Sequence, residues 1–145
     1  MAIGTIALDG AKELIAKLDR FTPSVGKRIM RTALRAGAQP ILAQARANAP
    51  GSRIKRSLKI RAGHSKGGRV SMLVTTRAGD FKGAEFFAGF LEFGVKERTQ
   101  KKTGRRTGKV SPRQFMLNAF NSRQDAAQQI IANELKAGIE AELVK

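Results

Sequence analysis

The stretch MRTALRAGAQPILAQARANAP, residues 30–50, decides how this chain is read. Met30, Leu34, Gly37, Ile41 and Ala45 recur at helical spacing and form one apolar face. Lys27, Arg28, Arg31, Arg35 and Arg46 lie largely off that face. The spacing predicts a helix over about Ser24 to Asn48, roughly 35 Å long. Thr22-Pro23-Ser24 breaks the chain before it, and Pro50-Gly51 ends it. Pro40 removes one backbone hydrogen bond from the interior, so a kink or a break near Gln39 is expected. The small residues beside it (Ala36, Gly37, Ala38 and Ala43) permit close packing against a neighbour.

Working outward, Asp9 to Leu18 reads as a short helix, with Leu8, Ala11, Leu14, Ile15 and Leu18 in helical register and Asp9 as N-cap. After Pro50, Ser57–Ala62 and Val70–Thr76 alternate apolar and polar residues, the period-2 signature of half-buried strands. The basic, Gly-rich connection from Gly63 to Gly68 fits an antiparallel hairpin. Ala84–Phe93 reads as a short helix, or a helix running into a strand, stopped by Gly94. Val95–Arg113 reads as a long basic loop, which in a domain of this size is either functional or disordered when free. Gln114–Phe120 is a short apolar cluster. A final amphipathic helix follows, over about Arg123–Val144 and capped by Asn121 or Ser122. The expected architecture is a single α+β domain over residues 1–145, with helices packed on a small antiparallel sheet.

Charge narrows the functional classes. Lys and Arg number 28 against 11 Asp and Glu, a formal charge of +17. Self-repulsion on that scale favours a polyanion or partner subunits over an isolated monomer. There is no cysteine, so disulfides and thiolate metal sites are excluded. Met1–Gly10 lacks a basic n-region with a long apolar run, and no stretch approaches the roughly 18 apolar residues of a membrane span. A protein made in a cytoplasm, with no membrane partner, is expected.

A catalytic constellation is hard to find. His64, the one histidine, sits in a turn-like setting without paired carboxylates and reads as a solvated residue. Glu85 and Glu92 are seven residues apart, roughly 10 Å on one helix, too far for a tight dyad. Ion pairs to Arg across a subunit joint are the expected use. Glu92, flanked by Phe90, Leu91 and Phe93, is the better candidate. The Gly-containing runs lack the strand–loop–helix setting of phosphate-cradling loops. No cofactor is expected, and no enzyme. Lys101, Lys102, Arg105, Arg106 and Lys109 in the loop, with Arg28, Arg31 and Arg35 on the long helix, are the candidate contacts to DNA or to neighbours. The loop has three readings: an arm that orders on neighbouring subunits, a phosphate contact, or a solvated insertion. It interleaves no aromatics for base stacking, so any DNA contact would be sequence-independent and salt-sensitive.

Three stretches carry a resemblance. Ala33-Leu34-Arg35-Ala36-Gly37-Ala38-Gln39-Pro40-Ile41-Leu42 runs on to Ala49-Pro50; the second stretch is Phe90-Leu91-Glu92-Phe93-Gly94, and the third is Pro112-Arg113-Gln114-Phe115-Met116-Leu117-Asn118-Ala119-Phe120. In order and spacing the chain resembles the gene-product-ten-like family of neck and tail-completion proteins of tailed phages. It departs from the family at Gly51-Ser52-Arg53-Ile54 and at Val95, and its basic loop is long.

The resemblance implies a non-enzymatic virion protein. It would form a homo-oligomeric ring, sixfold or twelvefold, around the DNA channel where head meets tail, beside head-closure or connector proteins and tail proteins. Phe90, Glu92, Phe93, Phe115 and Phe120 are then expected to pack the core or a subunit joint. A tail terminator or minor tail protein is the alternative within this class. A free, sequence-independent nucleic-acid-binding protein is the alternative outside it.

Overall fold

The computed structural model describes residues 11–64, 66–67, 69–76 and 87–145. The expected N-cap Asp9 with Leu8, and Glu85 with Phe86, lie outside the described residues. Two long helices dominate. Helix α2 (Pro23–Asn48) and helix α5 (Phe115–Leu143) are each preceded in the chain by smaller elements: α1 (Ala11–Leu18) before α2, then α3 (Ser52–Ser57), β1 (Lys59–Ala62), β2 (Met72–Thr75), α4 (Phe87–Phe93), β3 (Arg98–Thr99) and β4 (Arg106–Thr107) before α5.

The two long helices pack because each carries a row of small or aliphatic residues every four positions. On α2 the row is Ile29, Ala33, Gly37, Ile41 and Ala45; on α5 it is Ala127, Ile131, Leu135 and Ile139. Such rows form the ridges that interdigitate between helices. The helices run antiparallel. Arg28 meets Glu142 at one end, while Gln44 meets Arg123 and Asn48 meets the Phe115 carbonyl at the other. Gly37 and Gly138 mark the close approaches. A Cβ on Gly37 would overlap the Ile131 side chain and lie 3.0 Å from the Ala127 carbonyl oxygen, and one on Gly138 would lie 2.8 Å from Ile29.

The buried face of α2 is turned about one residue from the expected one. Ile29 and Ala33 are buried where Met30 and Leu34 were expected, and those two are half-buried beside them. The helix also continues through Pro40 without a break. Packing on α5 outweighs the one hydrogen bond lost there: each buried aliphatic side chain contributes roughly 1.5–3 kcal/mol, against ~1 kcal/mol for the bond.

The core has two ends. Leu18, Ile29, Ala33, Ile131, Leu135 and Ile139 fill one. Leu42, Ala45, Ile54, Leu58, Ala88, Phe115, Met116 and Ala119 fill the other. Residues 52–57 form the helical turn α3, which places Ile54 and Leu58 in this core, so the strand expected from Ser57 begins only at Lys59. Strands β1 and β2 form the expected antiparallel hairpin, with Lys59 opposite Thr75 and Ala62 opposite Met72. Ile60 and Val74 face the body and Leu73 faces out. Arg46, expected on the wet side of α2, instead turns inward and donates to the Leu58 carbonyl at 2.7 Å, tying the hairpin to the helix.

Two expectations fail in the last third of the chain. The segment after Gly94 is a second antiparallel hairpin, so the described residues contain two two-stranded sheets where one was expected. And Gln114–Phe120 is the first part of α5, which runs unbroken to Leu143. Ser122 is no cap; its hydroxyl donates back to the Ala119 carbonyl within the helix.

Candidate interaction surface

Between α4 and α5 the chain leaves the body, makes the basic hairpin and returns, and everything that fixes this excursion lies at its root. Helix α4 ends at Gly94, whose φ of +74° suits glycine. A Cβ there would stand 2.8 Å from Pro112 Cδ and 2.9 Å from the Val110 carbonyl oxygen. The outgoing and returning strands are thus in contact at Gly94 and Pro112. Val95 and Val110 close the ladder with reciprocal backbone bonds of 2.8 and 2.9 Å. They are the only aliphatic residues of the segment apart from Pro112, and both are half-buried.

Glu92 locks the returning strand. The N-terminus of α5 has no local side-chain cap, because Gln114 sits in the left-handed region at φ 47°. Glu92 supplies the acceptors. One carboxyl oxygen takes the Met116 N–H at 2.9 Å and the other takes the Leu117 N–H at 3.0 Å. The backbone adds Arg113 N–H to the Leu91 carbonyl at 2.7 Å, and Gln114 N–H to the Glu92 carbonyl at 3.3 Å. An acidic group at a helix N-terminus meets unsatisfied N–H donors and the positive end of the helix dipole together. Glu92 is 1% exposed, so the reach across a subunit joint expected from the sequence is replaced, in the structure, by a contact within the chain.

The arm itself is polar from root to tip. Every residue from Lys96 to Lys109 is exposed. Arg98 pairs with Thr107 and Thr99 with Arg106. The Thr107 hydroxyl reinforces the pairing by donating to the Arg98 carbonyl at 2.8 Å. The tip turns at Lys101–Gly104: Gly104 takes φ +64° and donates to the Gln100 carbonyl, and Gln100 N–H donates to the Arg105 carbonyl. Lys101, Lys102, Arg105, Arg106 and Lys109 therefore stand on one ribbon. Its one acid, Glu97, is 3.9 Å from Arg106 and exposed.

Near the root the arm meets α4. The Arg98 guanidinium lies 5.9 Å from the centre of the Phe90 ring. Phe90, Val95, Arg98 and Val110 line an open hollow of about 420 Å³ there. Phe90 and Phe93 are 39% and 48% exposed, while Phe115 is in the core and Phe120 half-buried. The cations of α2 are elsewhere. Arg31 and Arg35 line a shallow groove of about 670 Å³ with Ala62 and Met72, and Arg28 is ion-paired to Glu142 at 3.0 Å. Glu142 also accepts from Lys145 at 3.0 Å. That hydrogen bond is the chief reason its carboxyl is held below the ordinary range, with the charges of Lys145 and Arg28 adding to it.

Among the described residues no group of three or more His, Asp or Glu is placed to hold a metal ion, and no helix is long and apolar enough to cross a membrane. Residues missed in the sequence are mostly those of the root. Gly94 was read only as a helix stop, and the contact with Pro112 had no signal. Val95 and Val110 did have one, as isolated aliphatic residues bracketing a basic run.

Residues 12–94 match the model of a family described as "Bacteriophage HK97-gp10, putative tail-component". The match covers more than half of the chain and stops at Gly94, where the arm departs, so it does not include the Pro112–Phe120 stretch that also carried the resemblance. Neither the curated proteins nor the solved structures searched gave a match. The matched span runs through both hairpin strands, the whole of α2 and the Glu92-bearing helix, and on that ground the chain belongs to the HK97-gp10-like family of phage structural proteins, a family of tail components whose place is in the virion and whose role is not enzymatic.

Proposed function

We propose that the protein is a subunit of an oligomeric ring at the head–tail interface of a tailed phage, completing the neck or the head-proximal tail around the DNA channel. The observation that carries this reading is the basic arm. It is held at a rigid root and projects charge that nothing else in the described chain offsets, which suits a subunit working beside DNA and among copies of itself. Membership of a tail-component family supports the setting. The formal charge of +17 supports an environment of polyanion or partners. In this reading α2, α5 and the β1–β2 hairpin form the wall of the ring, the half-exposed Phe90 and Phe93 contribute to its joints, and head-closure or connector proteins and tail proteins lie on either side.

Electron microscopy of a lysate from a phage with this gene disrupted tests the placement. DNA-filled heads beside separate, complete tails are expected. Overlong or missing tails would assign the protein to tail termination or tail assembly, and normal infectious particles would overturn the reading.

A further inference from the structure

We infer that the arm is a ribbon that enters a groove of double-stranded DNA and holds phosphates without reading bases. This deepens the proposed function by naming the arm's partner, and it rests on that reading only for where the DNA is met. The argument starts from the alternation of a β-ribbon. Successive side chains point to opposite faces, so Arg105 and Arg106 stand on opposite sides, and Arg98 and Thr99 likewise. Lys101 and Lys102 occupy the tip. The ribbon thus carries cations on both faces and at its end. A flat acidic protein surface would meet one face and leave the other uncompensated, whereas the two walls of a DNA groove present phosphates to both.

The dimensions agree. From the Val95–Val110 bridge to the tip is about seven residues, roughly 20 Å. A two-stranded ribbon fits the B-DNA major groove, which is ≈ 12 Å wide. Specific readout has no equipment here. The arm has no aromatic side chain, and the side-chain oxygen of Gln100 is taken by the Thr103 hydroxyl at 2.7 Å. The root is braced by Glu92 and by Gly94 against Pro112, so the ribbon is presented in one direction.

The test is fluorescence anisotropy of the full chain with two ~20-base-pair duplexes of unrelated sequence, titrated across salt concentrations. Equal binding of both duplexes is expected. Replacing Lys101, Lys102, Arg105 and Arg106 together by Ser is expected to flatten the slope of log K against log salt by about 3, at roughly 0.9 per lost phosphate contact. Two further variants keep the result interpretable. Arg105→Lys with Arg106→Lys should retain the slope. A body variant with Lys12, Lys17, Arg20 and Lys136 changed to Ser loses the same charge and should flatten it less. All variants should keep the thermal midpoint of the parent. An unchanged slope in the arm variant, an equal loss in the body variant, or displacement of the duplex by polyglutamate at matched charge would overturn the inference. The lysate experiment fails separately: a particle defect with unaltered DNA binding removes the arm's role alone, and altered binding without a particle defect removes the placement alone.

Discussion

Glu92 and Met116 are joined by a hydrogen bond of 2.9 Å that spans 24 residues of sequence, from the last turn of α4 to the first turn of α5. Together with the Leu117 N–H, it makes Glu92 the cap of a helix to which it does not belong. Glu92→Gln keeps the size but presents an amide NH₂ to one of two N–H donors. We expect a loss of about 2 kcal/mol, and a fall of roughly 5 °C or more in the unfolding midpoint by circular dichroism. Glu92→Arg should leave little folded protein at all, since a guanidinium would face two donors in a dry site. A folded Glu92→Arg chain that fails only in assembly would restore the inter-subunit role and remove the capping one.

The glycines of the arm should respond unequally to Ala. Gly94 combines φ +74° with atoms of Pro112 and Val110 within 3 Å of the new Cβ, so Gly94→Ala should destabilise by about 2 kcal/mol or more. Gly104 has φ +64° but open space around it, and about 1 kcal/mol is expected, confined to the tip. Gly108 has neither constraint, and Gly108→Ala should be close to neutral. Urea titration of the three variants gives the order directly; similar losses at Gly94 and Gly108 would mean the root is not tight.

At the α2–α5 crossing, Gly37→Ala places a methyl into the Ile131 side chain. An overpacked core position of this kind loses about 1–3 kcal/mol. Ile131→Val in the same chain should recover part of that loss, so the double mutant should be more stable than the sum of the single effects predicts. Strict additivity would show that the helices slide apart to admit the methyl.

Acid should weaken the junction of Arg28 with Glu142. Because the folded chain holds this carboxyl below its unfolded value, the contribution is full above the unfolded pKa and is lost as pH falls through the folded one. The midpoints of the parent and of Glu142→Gln should therefore differ at about pH 7 and converge near ~pH 3. The difference should also shrink in high salt, since Arg28 is well exposed. A gap that persists in acid would mean that something other than charge is lost.

The legible parts of this fold are those written in local periodicity. Leu58 and Ile60 against Met72 and Val74 gave a hairpin, and the alternation placed Ile60 and Val74 inward. The apolar row of α2 gave its length to within a residue. What stayed hidden depends on partners far along the chain. Asn121 and Ser122 looked like caps because they are good cap residues next to an apolar run, yet α5 begins earlier, where Glu92 satisfies its donors. The arm looked like a loop because its strands bury almost nothing. They are held by Val95 with Val110, by one threonine hydroxyl and by a glycine turn, each too small a signal to separate from coil. Of the candidate residues, the cations of the arm were placed together as the sequence suggested. Glu92 was singled out for a reason that the structure replaces with another.

Gly94 and Pro112 touch, so the body closes on itself beneath the arm. An excursion whose two ends meet is, in effect, a cassette: its length can change without altering the path of the chain below. Ribbons of other lengths or chemistry, or a short peptide tag between Lys102 and Gly104, should be accepted there with the helical body unchanged. The same closure would let related chains diverge fastest beyond Gly94 while keeping a common frame.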